Sequence, residues 1–185
     1  MRRLFYLIVT LQILFLLAEI ASYETAIGRA LKHGKVIALK VVPVDPRSLF
    51  MGNYMDLSYD ISRIDLAKVP HDAALDKSPE YEAFPVYVWL RPQAPWAVIV
   101  KVTTDPPRDP QALYLRGSGY RSSDGLAVDY GLERYYIPET ASEKVERLTR
   151  AWGTRAPQIS VEVVVTGKGK GLIHRVLANG KPLEF

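Results

Sequence analysis

The chain has no cysteine in its 185 residues. That absence excludes a structural disulfide, a cysteine nucleophile, a thiolate metal site and a lipidated N-terminal cysteine, and it leaves the redox compartment open. Histidine is scarce as well. The three histidines, at 33, 71 and 174, form no HxxxH or HxH pair, so neither a metal nor a cofactor is expected. A dominant charge of one sign is also missing. The formal net charge of +4 is too mild for a nucleic-acid partner, which calls for a basic stripe on a recognisable module. Repeats and low-complexity tracts are absent. A hydrophobic fraction of 48% against 24% charged residues belongs to a folded chain rather than a disordered one.

What is present begins with Met1-Arg2-Arg3 and an apolar run from Leu4 to Ile20, interrupted only by Thr10, Gln12 and Glu19. Ala18 and Ala21 stand at the wrong separation for signal cleavage, so the run reads as an uncleaved signal-anchor. Its length approaches the roughly 20 residues that cross a bilayer, and the arginine pair marks a cytoplasmic end. The expectation is a single-pass transmembrane helix in the cytoplasmic membrane, N-terminus inside, with the remainder extracytoplasmic in the cell envelope. Tyr23 to Leu31 would continue the helix as a stalk that Gly34 stops. This gives an anchor and stalk over residues 1–31 and a domain over 35–185.

Within the domain the pattern is that of strands. Valine-rich Lys35 to Val42 ends at Pro43. Pro85 to Leu90 and Trp96 to Val102 form a hairpin, and shorter strands follow at Ala112 to Arg116, Leu126 to Tyr130 and Tyr135 to Ile137. Thr140-Ala141-Ser142-Glu143 has capping-box spacing and opens a helix that Gly153 closes. Ile159 to Val165 and Leu172 to Leu177 flank a glycine-lysine tip, and Asn179-Gly180 makes a last tight turn. Val69 to Glu80 is a polar, proline-punctuated loop expected to hold no element. The fold class expected is mainly β: a single antiparallel domain, sandwich or partly open barrel, with one short helix.

The domain is organised around Pro43 to Tyr59. Two prolines and a glycine make a polar loop, and strict alternation follows. Met55, Leu57, Tyr59 and Ile61 share one side, while Tyr54, Asp56, Ser58 and Asp60 share the other. Gly52, Tyr54, Leu57 and Tyr59 resemble, in register, the motif that gives the GDYXXLXY protein family its name. Asn53 departs from it, standing where the motif has Asp, which removes a charge that an arginine would pair with. Leu132 to Glu139 also resembles the family in its Glu133-Arg134-Tyr135-aromatic run before a short helix. The resemblance implies an N-terminal membrane anchor and brings no known reaction with it.

The chemistry-bearing residues are weighed accordingly. Asp56 and Asp60 fall on a solvated strand face, which does not poise two carboxylates across a substrate. Ser48 has no lysine spaced to activate it, so a serine-lysine hydrolase lacks its pair. Gly167 to Gly171 leads into a strand rather than a helix and is not a phosphate loop. Its two lysines would touch anionic lipid headgroups if the tip faced a membrane. Arginine and tyrosine favour contact surfaces because each combines contact area with a directed hydrogen bond. The candidate binding surface is therefore Asp45, Arg47, Gly52, Asn53, Tyr54, Leu57, Tyr59, Glu133, Arg134 and Tyr135. The bland alternative pairs Arg47 with Asp45 or Glu133 and packs the tyrosines on the sheet. The functional expectation is a binding or accessory module for an envelope or membrane protein, with the lipid bilayer as a second partner through the helix. The competing class is an envelope-acting hydrolase of signal-peptidase-like β architecture, with Asp45, Arg47, Tyr54 and Glu133 gathered in one cleft.

Overall fold

The computed structural model describes residues 2–42, 54–80, 82–123, 125–138 and 158–183. They fall into two compact units, 1–34 and 35–185. The first is a single helix, α1 (Arg2–His33), ended by Gly34. Its large apolar side chains between Tyr6 and Ile20 point outward, Leu11 at 65% and Phe15 at 62% exposure. Among the described residues no helix is long and apolar enough to cross a membrane, which corrects the transmembrane expectation for this segment. The physical reason is composition. The apolar run is interrupted three times and stops at Ile20, and the rest of the helix carries Glu24, Arg29, Lys32 and His33, whereas a crossing takes about 20 predominantly apolar residues.

The second unit is built almost entirely of strands: β1 (Lys35–Lys40), β2 (Tyr54–Asp56), β3 (Arg63–Ile64), β4 (Ala83–Arg91), β5 (Val98–Thr103), β6 (Tyr114–Ser122), β7 (Gly125–Asp129), β8 (Arg134–Tyr136), β9 (Ile159–Val165), β10 (Gly171–Ala178) and β11 (Lys181–Pro182). They make a four-stranded sheet in the order β1-β9-β10-β11, a five-stranded sheet in the order β3-β7-β6-β4-β5, and a two-stranded ribbon of β2 with β8. Every pair within these sheets is antiparallel. The result is a mainly β half-barrel, the more open of the two β architectures expected. Short main-chain links join its parts: Ala97 N donates to the Ala38 carbonyl at 2.9 Å, and Arg116 N to the Gly169 carbonyl at 2.8 Å.

Alternation decides which side of each strand is buried. Val86, Val88 and Leu90 of β4, Leu126 and Val128 of β7, and Val161, Val163 and Val165 of β9 fill one core with Ile37 and Leu39 of β1. β6 reaches well past the expected Arg116, running to Ser122 through two glycines. At Gly117 an added Cβ would lie 2.5 Å from Val128 Cγ1 and 2.7 Å from the Asp129 carbonyl oxygen. Glycine there admits the neighbouring strand instead of ending its own. The loop expected to be without structure holds one helical turn, α2 (Ala73–Asp76). Asp72 caps it, one carboxylate oxygen accepting from Leu75 N at 3.2 Å and the other from Thr104 N at 2.8 Å. The helix expected from Thr140 to Gly153 lies outside the described residues.

Candidate functional site

The alternation of the signature strand survives folding, but regular pairing lasts only three residues. In β2, Met55 faces the core at 1% exposure, and Leu57 and Tyr59 follow it inward at 1% and 0%. Leu57 and Tyr59 are thus core residues, which corrects their assignment to a binding surface. The reason is the period of two itself, since they share the face of Met55. The opposite face carries half-buried Tyr54 and exposed Asp56.

β2 pairs with β8, which comes from the Glu-Arg-Tyr segment: Tyr54 faces Tyr136, Met55 faces Tyr135 and Asp56 faces Arg134. Paired residues share a face, so the outer side of this ribbon displays Tyr54, Tyr136, Asp56 and Arg134, while half-buried Tyr135 packs against the core. The rings of Tyr54 and Tyr136 lie 6.1 Å apart, tilted by 56°, and the Arg134 guanidinium stands 5.8 Å from the Tyr54 ring centre. Tyr136 is 73% exposed. Of the two tyrosines that follow Arg134 in the sequence, Tyr136 is the one that joins it on the outer face, and Tyr135 turns inward. Asp45, Arg47, Gly52 and Asn53 lie outside the described residues.

Two buried tyrosines tie the segment that follows β2 to the segment that precedes β8. Tyr59 Oη donates to the Leu132 carbonyl at 2.6 Å, and Tyr130 Oη to the Ile61 carbonyl at 2.7 Å. Each chain segment sends a phenol to the backbone of the other, a reciprocal clasp. Burial raises both phenols above their ordinary range, so they remain protonated donors. Main-chain continuity reinforces the clasp, because Leu57 N donates to the Glu133 carbonyl at 2.6 Å. The Glu133 side chain turns the other way. It accepts from Tyr130 N at 2.8 Å and lies beside the Asp129 carboxyl. Partial burial, with Asp129 adding to it, pushes the Glu133 carboxyl up to about 7. Asp129 is held below its ordinary value by the Glu133 hydrogen bond and by Gly131 N. Glu133 is a structural acceptor in a turn, and its carboxyl is held away from the exposed ribbon face.

A cleft of about 830 Å³ lies elsewhere on the domain, lined by Phe84, Pro85, Arg116, Ser118, Asp129 and the tip lysines 168 and 170, among others. Neither Tyr54 nor Glu133 lines it, so the two described members of the expected catalytic cleft are not gathered there. The glycine-lysine tip is a hairpin turn whose amides are satisfied internally: Gly169 N donates to the Thr166 carbonyl and Lys170 N to Thr166 Oγ1. Gly169 has φ +73°, and a Cβ there would run into the Tyr114 ring, which ties the tip to β6. Among the described residues no group of three metal-ligating side chains converges. His71 instead bonds the Val69 carbonyl and Asp76.

Comparison with known proteins gives one match. Neither a curated protein nor a solved structure matches the chain. The family model of the GDYXXLXY protein matches residues 12–176, a span that takes in both the signature strand and the segment paired with it. The chain belongs to the GDYXXLXY protein family.

Proposed function

We propose that this protein is a binding or accessory module for another protein of the membrane or envelope, and that its contact surface is the outer face of the β2–β8 ribbon. The observation that carries this reading is the ring pair of half-buried Tyr54 and exposed Tyr136 with Arg134 against it, formed where the two family segments meet. A tyrosine left largely in water, beside an arginine and without a core to pack on, is the composition of a contact hot spot. The two phenol bonds also tie together the chain segments that carry the ribbon, which lowers the ordering cost of binding.

Attachment to a lipid bilayer surface through α1 belongs to the same proposal. Its support is the row of outward apolar side chains from Tyr6 to Ile20, which needs a cover in water. Flotation of the full chain with lipid vesicles tests this part, and a chain that stays at the bottom of the gradient sinks it.

The contact surface is tested by placing a photoreactive benzoylphenylalanine at Tyr136 in the full chain in cells. A discrete adduct of fixed mass is expected, lost with Tyr54→Ala or Arg134→Ala and kept with Lys181→Gln on the far strand. Absence of a discrete adduct, or one indifferent to both ribbon changes, refutes the ribbon as the docking face.

A further inference from the structure

The cleft bordered by Pro85, Ser118 and Asp129 carries an inference that does not depend on the ribbon. Pro85, Ser118 and Asp129 stand in register across β4, β6 and β7 and form its floor. β7 stops pairing with β6 at Ser118, and the β9–β10 tip takes over the vacated edge through the bond from Arg116 N to Gly169 O. That geometry brings Lys168 and Lys170 to the same cleft as Arg116. The three cations have no ion-pair partner among the described residues, and the lining opposes them with a single carboxylate, Asp129. Asp129 is already engaged by Gly131 N and by Glu133. Ala83, Phe84 and Pro85 at the start of β4 add an apolar wall to a lining that also holds Ser118 and Thr166.

We propose that this cleft binds an anionic amphiphile, with Arg116, Lys168 and Lys170 holding the charged head and the Ala83–Pro85 wall covering the chain. Charge complementarity selects the head, because three unpaired cations around one space attract a phosphate or carboxylate. The apolar wall selects against a bare anion, which gains nothing from it. An extended peptide fits less well. The main-chain donors of Arg116, Tyr130 and Gly131 at the cleft are taken, which leaves a strand little to pair with there.

The test uses the full chain in phosphatidylcholine nanodiscs, titrated with dihexanoyl phosphatidate below its micelle concentration and followed by calorimetry. Saturable binding is expected, weakened by about tenfold or more in Lys168→Gln/Lys170→Gln and abolished by Ser118→Trp, which fills the cleft without altering charge. The lysine pair is exposed, so its loss leaves folding intact and keeps the test decisive should the tryptophan variant fail to fold. Inorganic phosphate, and dihexanoyl phosphatidylcholine with the same chains, are each expected to bind at least about tenfold more weakly. Failure of the wild-type chain to saturate, or a lysine variant that binds like wild type, overturns the proposal. Phosphate binding as well as the phosphatidate would reduce the cleft to an anion site, and equal binding of phosphatidylcholine would reduce it to an apolar one. Either result also overturns the amphiphile.

Discussion

Tyr54 and Tyr59 lie five residues apart in one motif and are used in opposite ways. Tyr59 is fully buried, its hydroxyl spent on the Leu132 carbonyl. Tyr54 lies on the outer face, its ring shared with Tyr136 and Arg134. The same division recurs on the partner segment, where Tyr130 is buried and bonded to Ile61 while Tyr136 stands in water. Each segment thus contributes one tyrosine to hold the ribbon and one to display. In the first segment the difference is parity, with no change of residue type; in the second, Tyr130 and Tyr136 share parity and the turn at Gly131, φ +71°, separates their environments. A buried phenol must find an acceptor or lose the hydrogen bond it had in water, whereas an exposed phenol has no such constraint and remains available to a partner.

The comparison breaks most strongly at Tyr59. Tyr59→Ala empties a fully buried site and is expected to cost about 3–5 kcal/mol, read from chemical denaturation of the full chain. Tyr59→Phe keeps the ring and leaves the Leu132 carbonyl without its donor, at about 1–3 kcal/mol. A phenylalanine variant as stable as wild type would mean that the ring alone does the holding and the clasp is incidental. Tyr130→Phe repeats the experiment from the other segment. Because the two phenols bridge the same pair of segments, the double variant should deviate from additivity by about 0.5 kcal/mol or more, whereas independent anchors would add.

A smaller effect separates the clasp from the acid beside it. Glu133 has its folded pKa raised from 4.5 to about 7. Below pH 4.5 both folded and unfolded chains hold that proton. Above it the unfolded chain releases its proton first, so the contribution to stability falls as pH rises towards about 7 and is flat beyond. Asp129, with its pKa lowered, acts in the opposite sense, losing stability only as pH falls through its own lower range. Glu133→Gln keeps an acceptor for Tyr130 N and a donor for Asp129. It should flatten the loss between pH 4.5 and 7 and raise the Tm at pH 8 by about 2–4 °C. His71, whose pKa is raised by the Val69 carbonyl and Asp76, loses its contribution as pH rises above its ordinary value, and that slope should persist in the variant. A melting profile unchanged by the substitution would show that the carboxyl is ionised in the folded chain.

Much of the ribbon was legible before the fold was known. Alternation alone assigned Met55, Leu57, Tyr59 and Ile61 to one face, and all four are buried. The hairpin of β4 with β5 and the Asn179-Gly180 turn, both residues at positive φ, follow from local chemistry as well. What could not be read was any relation between distant segments. Nothing in β2 specifies that its partner is Arg134–Tyr136, because strand register is a property of two segments and of the core they share. β6 extends past Arg116 through Gly117 and Gly119, and only the approach of Val128 and Val86 shows why a strand keeps glycine there. The cleft escaped for the same reason. Its floor and its cations come from separate stretches that carry no common pattern.

The smallest expected effect lies at Tyr136, and it is the one that most sharpens the contrast. With the ring 73% exposed, Tyr136→Ala removes little buried area and should change stability by less than about 0.5 kcal/mol, against the several expected at Tyr59. Loss of the contact with Tyr54 is the main term, since an exposed aromatic pair across a ribbon is worth only about 0.2–1 kcal/mol. The same substitution should nevertheless abolish capture of the partner by a photoreactive group moved to Asp56 on the same face. Stability and capture read together divide the cases. A stable variant that loses its adduct assigns the outer tyrosine to binding. A variant destabilised as much as Tyr59→Phe would make the outer pair part of the clasp and remove the distinction between the two faces.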